Sequence, residues 1–188
     1  MTRTTRKMKK SPDSAERALS SLRRRIDGLD GRIVGLLNKR TRLAMAIGRI
    51  KHQRGDAVFT PGREREVVRR VAAASTGPLG AAELRAIYRE IMSVALSFEG
   101  GLTVVVLKGD GAAARLAVHQ RLGECTRIMT VAAPAQVLSA LQREAADFAL
   151  VTPSVWSGLK SPALEVVDRV SVIGVKGSFR LVTPRSAA

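Results

Sequence analysis

Arg40 occupies a position where an apolar side chain is due. Between residues 14 and 53 the apolar residues fall at Leu19, Leu22, Ile26, Leu29, Ile33, Leu36, Leu43, Ile47 and Ile50, in steps of three and four, and the missed beat after Leu36 is filled by Arg40. That rhythm is the seam of an amphipathic helix packed on other helices. A guanidinium on such a seam is costly unless something anionic meets it. Lys51 lies eleven residues on, which on a helix is about three turns along and roughly 20° round, so both cations share one face. Their Cα atoms are then about 16 Å apart, a gap that two long side chains can close onto a small anion. A structural ion pair, or a side chain snorkelling to water, would account for either cation alone.

The elements that must position these cations can be read around them. Ser11-Pro12-Asp13 predicts a helix start, with proline where its missing N–H is harmless. The helix runs to about Gln53, some 60 Å. That length exceeds the diameter of a 100-residue globule, so much of it is expected to pack on a second chain. Gly55-Asp56 breaks it, and Thr60-Pro61 starts a shorter, charge-dense helix to about Ala74. A third helix carries Leu84, Ile87, Tyr88, Ile91, Met92, Ala95 and Phe98 on one stripe, and Gly100-Gly101 ends it.

Beyond Gly101 the pattern changes to strands alternating with helices. Residues 102–107, 127–131, 148–151, 166–173 and 179–182 read as strands, with helices in the Ala-rich stretch to Leu122 and over residues 135–144. Such alternation predicts a small α/β layer, at least partly parallel. The Lys108-Gly-Asp-Gly111 loop lacks both the GxGxxG and the P-loop spacing and is read as a tight turn.

Composition narrows the function classes. The chain has 188 residues and a formal net charge of +16, and residues 1–99 hold 22 Lys or Arg against 10 Asp or Glu. Aromatics make up 3%, and no RNP, zinc-finger or KH signature accompanies the charge, so a specific nucleic-acid partner is not expected. Part of the surplus sits in residues 1–13, read as a disordered basic tail. One cysteine, Cys125, and two histidines, His52 and His119, leave no metal cluster and no disulfide framework. Five cations in the first ten residues leave room for neither a signal peptide core nor a membrane span, and a reducing cytoplasm is the expected compartment.

The stretches Leu22-Arg-Arg-Arg-Ile-Asp-Gly-Leu-Asp30, Ile33 to Leu37, Lys39-Arg40, Leu43-Ala44, Ile47-Gly-Arg-Ile-Lys51 and Arg63-Glu-Arg-Glu66 together resemble the all-helical, AroQ-type chorismate mutase domain. Ile87-Tyr-Arg-Glu-Ile-Met-Ser93 through Glu99 is similar to that domain's third helix. The resemblance covers about residues 14–99. It implies an α plus α/β chain: a three-helix mutase domain forming an intertwined homodimer, then a small α/β domain over residues 102–188. The Gly-rich break and Val104-Val-Val-Leu107 resemble the junction in bifunctional mutase and prephenate dehydratase proteins.

The implied reaction converts chorismate to prephenate in phenylalanine and tyrosine biosynthesis, without cofactor, metal or nucleophile. Catalysis of such a rearrangement consists of holding the reactive conformer and stabilising charge on the ether oxygen. By the resemblance, Arg40 and Arg23 bind carboxylates, Lys51 and Glu99 contact the ether oxygen, Glu64 receives the substrate hydroxyl and Arg63 lines the site. Arg23 and Lys51 are 28 residues apart, about 42 Å on one helix, so Arg23 must serve the partner subunit's site. Thr60 stands where many relatives have Asp, and Ala95 where they often have Ser. One lost hydrogen bond to a charged group costs about 1.5–3 kcal/mol, which weakens activity without abolishing it.

Residues 102–188 resemble only part of a dehydratase. Ala112-Ala-Ala114 replaces a hydroxyl-bearing loop, Thr152-Pro-Ser-Val-Trp156 follows the strand that normally precedes a Glu-Asn-Ser loop, and the family's Thr-Arg-Phe motif is absent. A catalytically inactive lobe is therefore expected. Two other functions fit the residues: an isochorismate pyruvate lyase on the same fold, and a non-catalytic basic scaffold that binds polyanions.

Overall fold

The computed structural model describes residues 12–55, 59–159, 161–172 and 177–185. Most of the expected basic tail, the Ser11 cap, Asp56 and Ile173 lie outside them. The chain divides into two compact units, Met1–Arg42 and Leu43–Ala188, and helix α1 (Pro12–Arg54) runs through the division.

In the first unit the described chain is α1 alone. Leu22, Ile26, Leu29, Ile33 and Leu36 lie along it and are each between 51% and 65% exposed. The predicted seam is thus a continuous apolar stripe that the single chain leaves open to solvent. Each such side chain forgoes about half of the 1.5–3 kcal/mol that full burial contributes. Gly28, Gly31 and Gly35 have no neighbouring atom within 4 Å of where a Cβ would be.

The second unit holds the end of α1, helices α2 (Pro61–Ala74) and α3 (Ala81–Phe98), and an α/β layer. Pro61 opens α2, whose first amides, those of Arg63 and Glu64, donate to the Thr60 carbonyl at 3.0 and 3.3 Å. At the other end of the hairpin α3 stops on Gly100 and Gly101, both at positive φ, with the Gly101 amide donating to Leu96. The layer follows as β1 (Thr103–Leu107), α4 (Gly111–Leu122), β2 (Arg127–Val131), α5 (Pro134–Gln142), β3 (Phe148–Val151), α6 (Pro153–Leu159), β4 (Leu164–Ser171) and β5 (Ser178–Pro184). The sheet order is β2-β1-β3-β5-β4; β1 runs parallel to β2 and β3, and β5 antiparallel to β3 and β4. The partly parallel α/β layer expected from the sequence is present.

Two cores flank the sheet. Val104, Val106, Phe148, Leu150, Phe179 and Leu181 face α4, whereas Val105, Leu107, Ala149, Val151 and Val182 face α5 and α6. Strand β4 serves both faces. Val166 pairs with Val182 and Asp168 with Leu181, so Val167 is an extra residue, a β-bulge that shifts the alternation. Before it Leu164 and Val166 join the α5 core; after it Val170 and Val172 join the α4 core.

Three differences from the sequence reading have physical causes. Helix α6 went unread because seven residues are too few for a helical period to show; Trp156 and Leu159 pack it on the α5 core. Lys108–Asp110 forms a single 3₁₀ turn, and Gly111, at φ 52°, begins α4. On α3 the buried residues are Leu84, Ser93 and Ala95, while Ile87 and Phe98 of the predicted stripe stay exposed. Ser93 faces inward because Cys125 donates its amide to the Ser93 hydroxyl and Gly123 presses on the same side chain. No helix among the described residues is long and apolar enough to cross a membrane.

Candidate active site

Arg23 and Arg40 lie in the first unit. Arg23 is exposed on α1. Arg40 is half-buried, and its Nη1 is buried with no hydrogen-bond partner among the described residues. A buried donor without an acceptor costs about 1–3 kcal/mol, and more when charged, so such groups are rare. The misplaced beat of the sequence is therefore a cation with an unfilled bond.

In the second unit the end of α1 meets the end of α3. Glu99 caps α3, its amide donating to Leu96 at 2.9 Å, and its side chain lies flat on Gly48. A Cβ at residue 48 would stand 2.8 Å from Glu99 Cγ and 2.9 Å from Oε2. Gly48 is thus required for Glu99 to approach α1 this closely. The two residues line a cavity of about 420 Å³ with Met45, Arg49, His52 and Phe98. Lys51, half-buried, is one turn further along α1.

The residues on α2 divide. Thr60 is exposed, and its hydroxyl makes no hydrogen bond among the described residues, the cap being supplied by its carbonyl alone. Arg63 donates from Nη1 to Glu66 at 2.7 Å on the surface. That hydrogen bond and charge hold the Glu66 carboxyl below its usual pKa. Glu64 is turned to the α/β layer, where Arg121 Nη1 donates to Oε2 at 2.7 Å and Arg121 Nε donates to Asp168 at 2.7 Å. Burial alone would lower the Arg121 pKa; the carboxylates of Glu64 and Asp168 outweigh it and hold the guanidinium above its ordinary value. Ala95 is buried on α3, so the methyl group sits where a serine would be enclosed.

The structure thus brings Glu99 onto α1 and ties Glu64 to a partner that sequence reasoning missed. Arg121 and Asp168 gave no sequence signal, since their partners are remote in the chain. Glu90, also overlooked, accepts from the Glu124 amide and from Arg89 Nε. Burial pushes its carboxyl up, and these two bonds outweigh it to keep the group below the usual range. Among the described residues no three of His, Cys, Asp and Glu gather as a metal-binding set.

Known proteins are similar to parts of the chain. A bifunctional chorismate mutase/prephenate dehydratase of Stutzerimonas stutzeri is 33% identical over 138 residues, covering 71% of this chain and 38% of that protein. One from Aquifex aeolicus is 38% identical over 93 residues, covering 47% and 26%. The chain therefore spans well under half the length of these relatives. Among solved structures, the chorismate mutase of Thermus thermophilus (form II) is 30% identical, with 44% of this chain and 94% of that one covered and a TM-score of 0.43. The chorismate mutase of Helicobacter pylori, solved in complex with prephenate, is also 30% identical, with 44% and 90% covered and a TM-score of 0.42. Residues 22–100, from within α1 through α3 to Gly100, match the family chorismate mutase type II, and this part of the chain is a domain of that family.

Proposed function

We propose that this chain is a chorismate mutase, an isomerase that rearranges chorismate to prephenate in a homodimer. The observation that carries the reading is the unpartnered, buried Nη1 of Arg40 on the α1 seam, a donor suited to a carboxylate. In this reading Arg40 binds one carboxylate and Arg23 of the partner subunit the other. Lys51 and protonated Glu99 donate to the ether oxygen, Glu64 takes the substrate hydroxyl, and Arg63, Thr60 and Ala95 line the pocket. A pericyclic reaction asks for nothing more: fixed donors act where charge grows, and no bond to the protein forms. The exposed stripe from Leu22 to Leu36 supports the dimer, since a second α1 would cover it.

Residues 14–99 form the mutase domain in this proposal, and residues 102–188 a dehydratase-like lobe without dehydratase chemistry. Purified protein should consume chorismate and release prephenate, with at least roughly 100-fold loss in Arg40→Ala. Pyruvate as the product would indicate the lyase instead, and no turnover at all would leave a binding scaffold. Prephenate supplied to the same protein should not yield phenylpyruvate above the acid-catalysed background.

A further inference from the structure

A second cavity, of about 540 Å³, opens between α2, α3, α4 and β4, away from Glu99. Its volume falls in the range of small-molecule sites, about 300–1,000 Å³. From α2 it is lined by Arg65, Val68, Arg69 and Ala72, spaced three and four apart as one helical face; from α3 by Ala81, Arg85 and Arg89, every fourth residue. Arg121, Glu64 and Asp168 close the far wall.

The charges in this wall do not balance. Arg121 takes up both carboxylates, at 2.7 Å each. Arg89 is held by Glu90 and by the Gln120 carbonyl. Arg65, Arg69 and Arg85 make no hydrogen bond or ion pair with any described residue, and all three border the same space. Like charges four apart on a helix repel, and this pattern occurs twice here, as Arg65 with Arg69 and Arg85 with Arg89. All three are exposed at the rim of one cavity, whose lining also includes Val68, Ala72 and Ala81. Unneutralised guanidinium forks around apolar wall are suited to carboxylates carried on an apolar body.

We propose that this cavity binds a small organic anion bearing at least two carboxylates on an apolar frame, held by Arg65, Arg69 and Arg85. Glu64 borders this cavity and is also assigned to chorismate, but Arg65, Arg69 and Arg85 are not, and the proposal does not depend on that assignment.

The test uses phthalate as the dicarboxylate probe, with benzoate and inorganic phosphate beside it, all titrated calorimetrically into the full chain at fixed ionic strength. Phthalate should bind saturably, and at least tenfold more tightly than benzoate or phosphate. Arg69→Ala and Arg85→Ala should each weaken it about tenfold or more, as expected for one charge-assisted hydrogen bond. Arg40→Ala should leave phthalate binding unchanged; loss there, with Arg69→Ala and Arg85→Ala unaffected, would place the probe in the mutase pocket and overturn the proposal. Phosphate binding as tightly as phthalate would overturn the organic frame, and no saturable binding would overturn the site. Phenylglyoxal footprinting of the unmutated chain needs no variant to fold. Phthalate should protect Arg69 and Arg85 while Arg24 and Arg49 keep reacting, and equal labelling with and without phthalate would refute the assignment.

Discussion

Glu64 and Arg121 are 57 residues apart in the chain and 2.7 Å apart in space. The bond joins a residue of the mutase helices to the α/β layer, and Arg121 extends it to Asp168. Glu64 therefore has a structural partner that any substrate hydroxyl must share or displace.

Removing Arg121 would leave two carboxylates facing each other, each at most about a quarter exposed. Breaking a buried pair by deleting one partner costs about 3–5 kcal/mol, and the residual exposure here argues for the lower end. Arg121→Ala should lower the unfolding free energy by about 3 kcal/mol, measured by urea denaturation, with Arg121→Lys intermediate. A loss below about 1 kcal/mol would mean that the cluster is screened by water and holds nothing together.

The contact of Glu99 on Gly48 leaves no space for a methyl group. Gly48→Ala should displace Glu99 and lower kcat about tenfold or more, as removal of a transition-state donor does. Glu99→Gln keeps the shape and supplies a permanent N–H donor, so it should stay active and lose less rate as pH rises through neutrality. An inactive, folded Glu99→Gln chain would remove Glu99 from the chemistry.

If Arg23 acts across the dimer, Arg23→Ala and Lys51→Ala chains, each inactive alone, should rescue one another after joint refolding. Random pairing makes about half the dimers mixed, and each mixed dimer has one intact site of two. Recovery should approach about a quarter of the unmutated activity, as the helical rise separating the two residues requires. Confirmed mixed dimers without activity would put Arg23 outside the site.

Asp110 precedes α4 with Oδ2 buried and without a partner among the described residues, and burial raises its carboxyl pKa. The folded chain then holds this proton more tightly than the unfolded chain, so stability falls as pH rises through the carboxylate range. Asp110→Asn removes the charge at nearly constant shape. Its melting temperature should exceed that of the unmutated chain at neutral pH, and the gain should vanish below the ordinary carboxyl pKa of 3.8. A gain of equal size at both pH values would show that the charge is not the cause.

What was legible in the sequence was local. The three- and four-residue steps of α1, the Pro61 and Gly100 boundaries and the β-branched run of β1 each express a period or a backbone constraint within a few residues. Arg40 stood out because it broke such a period. The missed features are those made by chain closure: Ser93 is polar beside an apolar stripe until Gly123 and the Cys125 amide meet it, and Arg65, Arg69 and Arg85, all exposed, border one space only once α2 and α3 are packed. Helix α6 fell below the length at which period means anything.

The extra residue Val167 works like a shift of reading frame. Upstream of it Leu164 and Val166 face α5, and downstream Val170 faces α4 with Phe179, its partner on β5. Deleting Val167 would restore a regular strand without inverting that address, because Asp168 and Val170 are already paired with Leu181 and Phe179, which face α4. The ion cluster that clasps Glu64 is thus set by the register of β4 on β5, which carries Asp168 to the α4 face beside Arg121. This stretch should therefore tolerate the loss of Val167 with the clasp intact, whereas a one-residue slip of β4 along β5 would turn Asp168 away from Arg121.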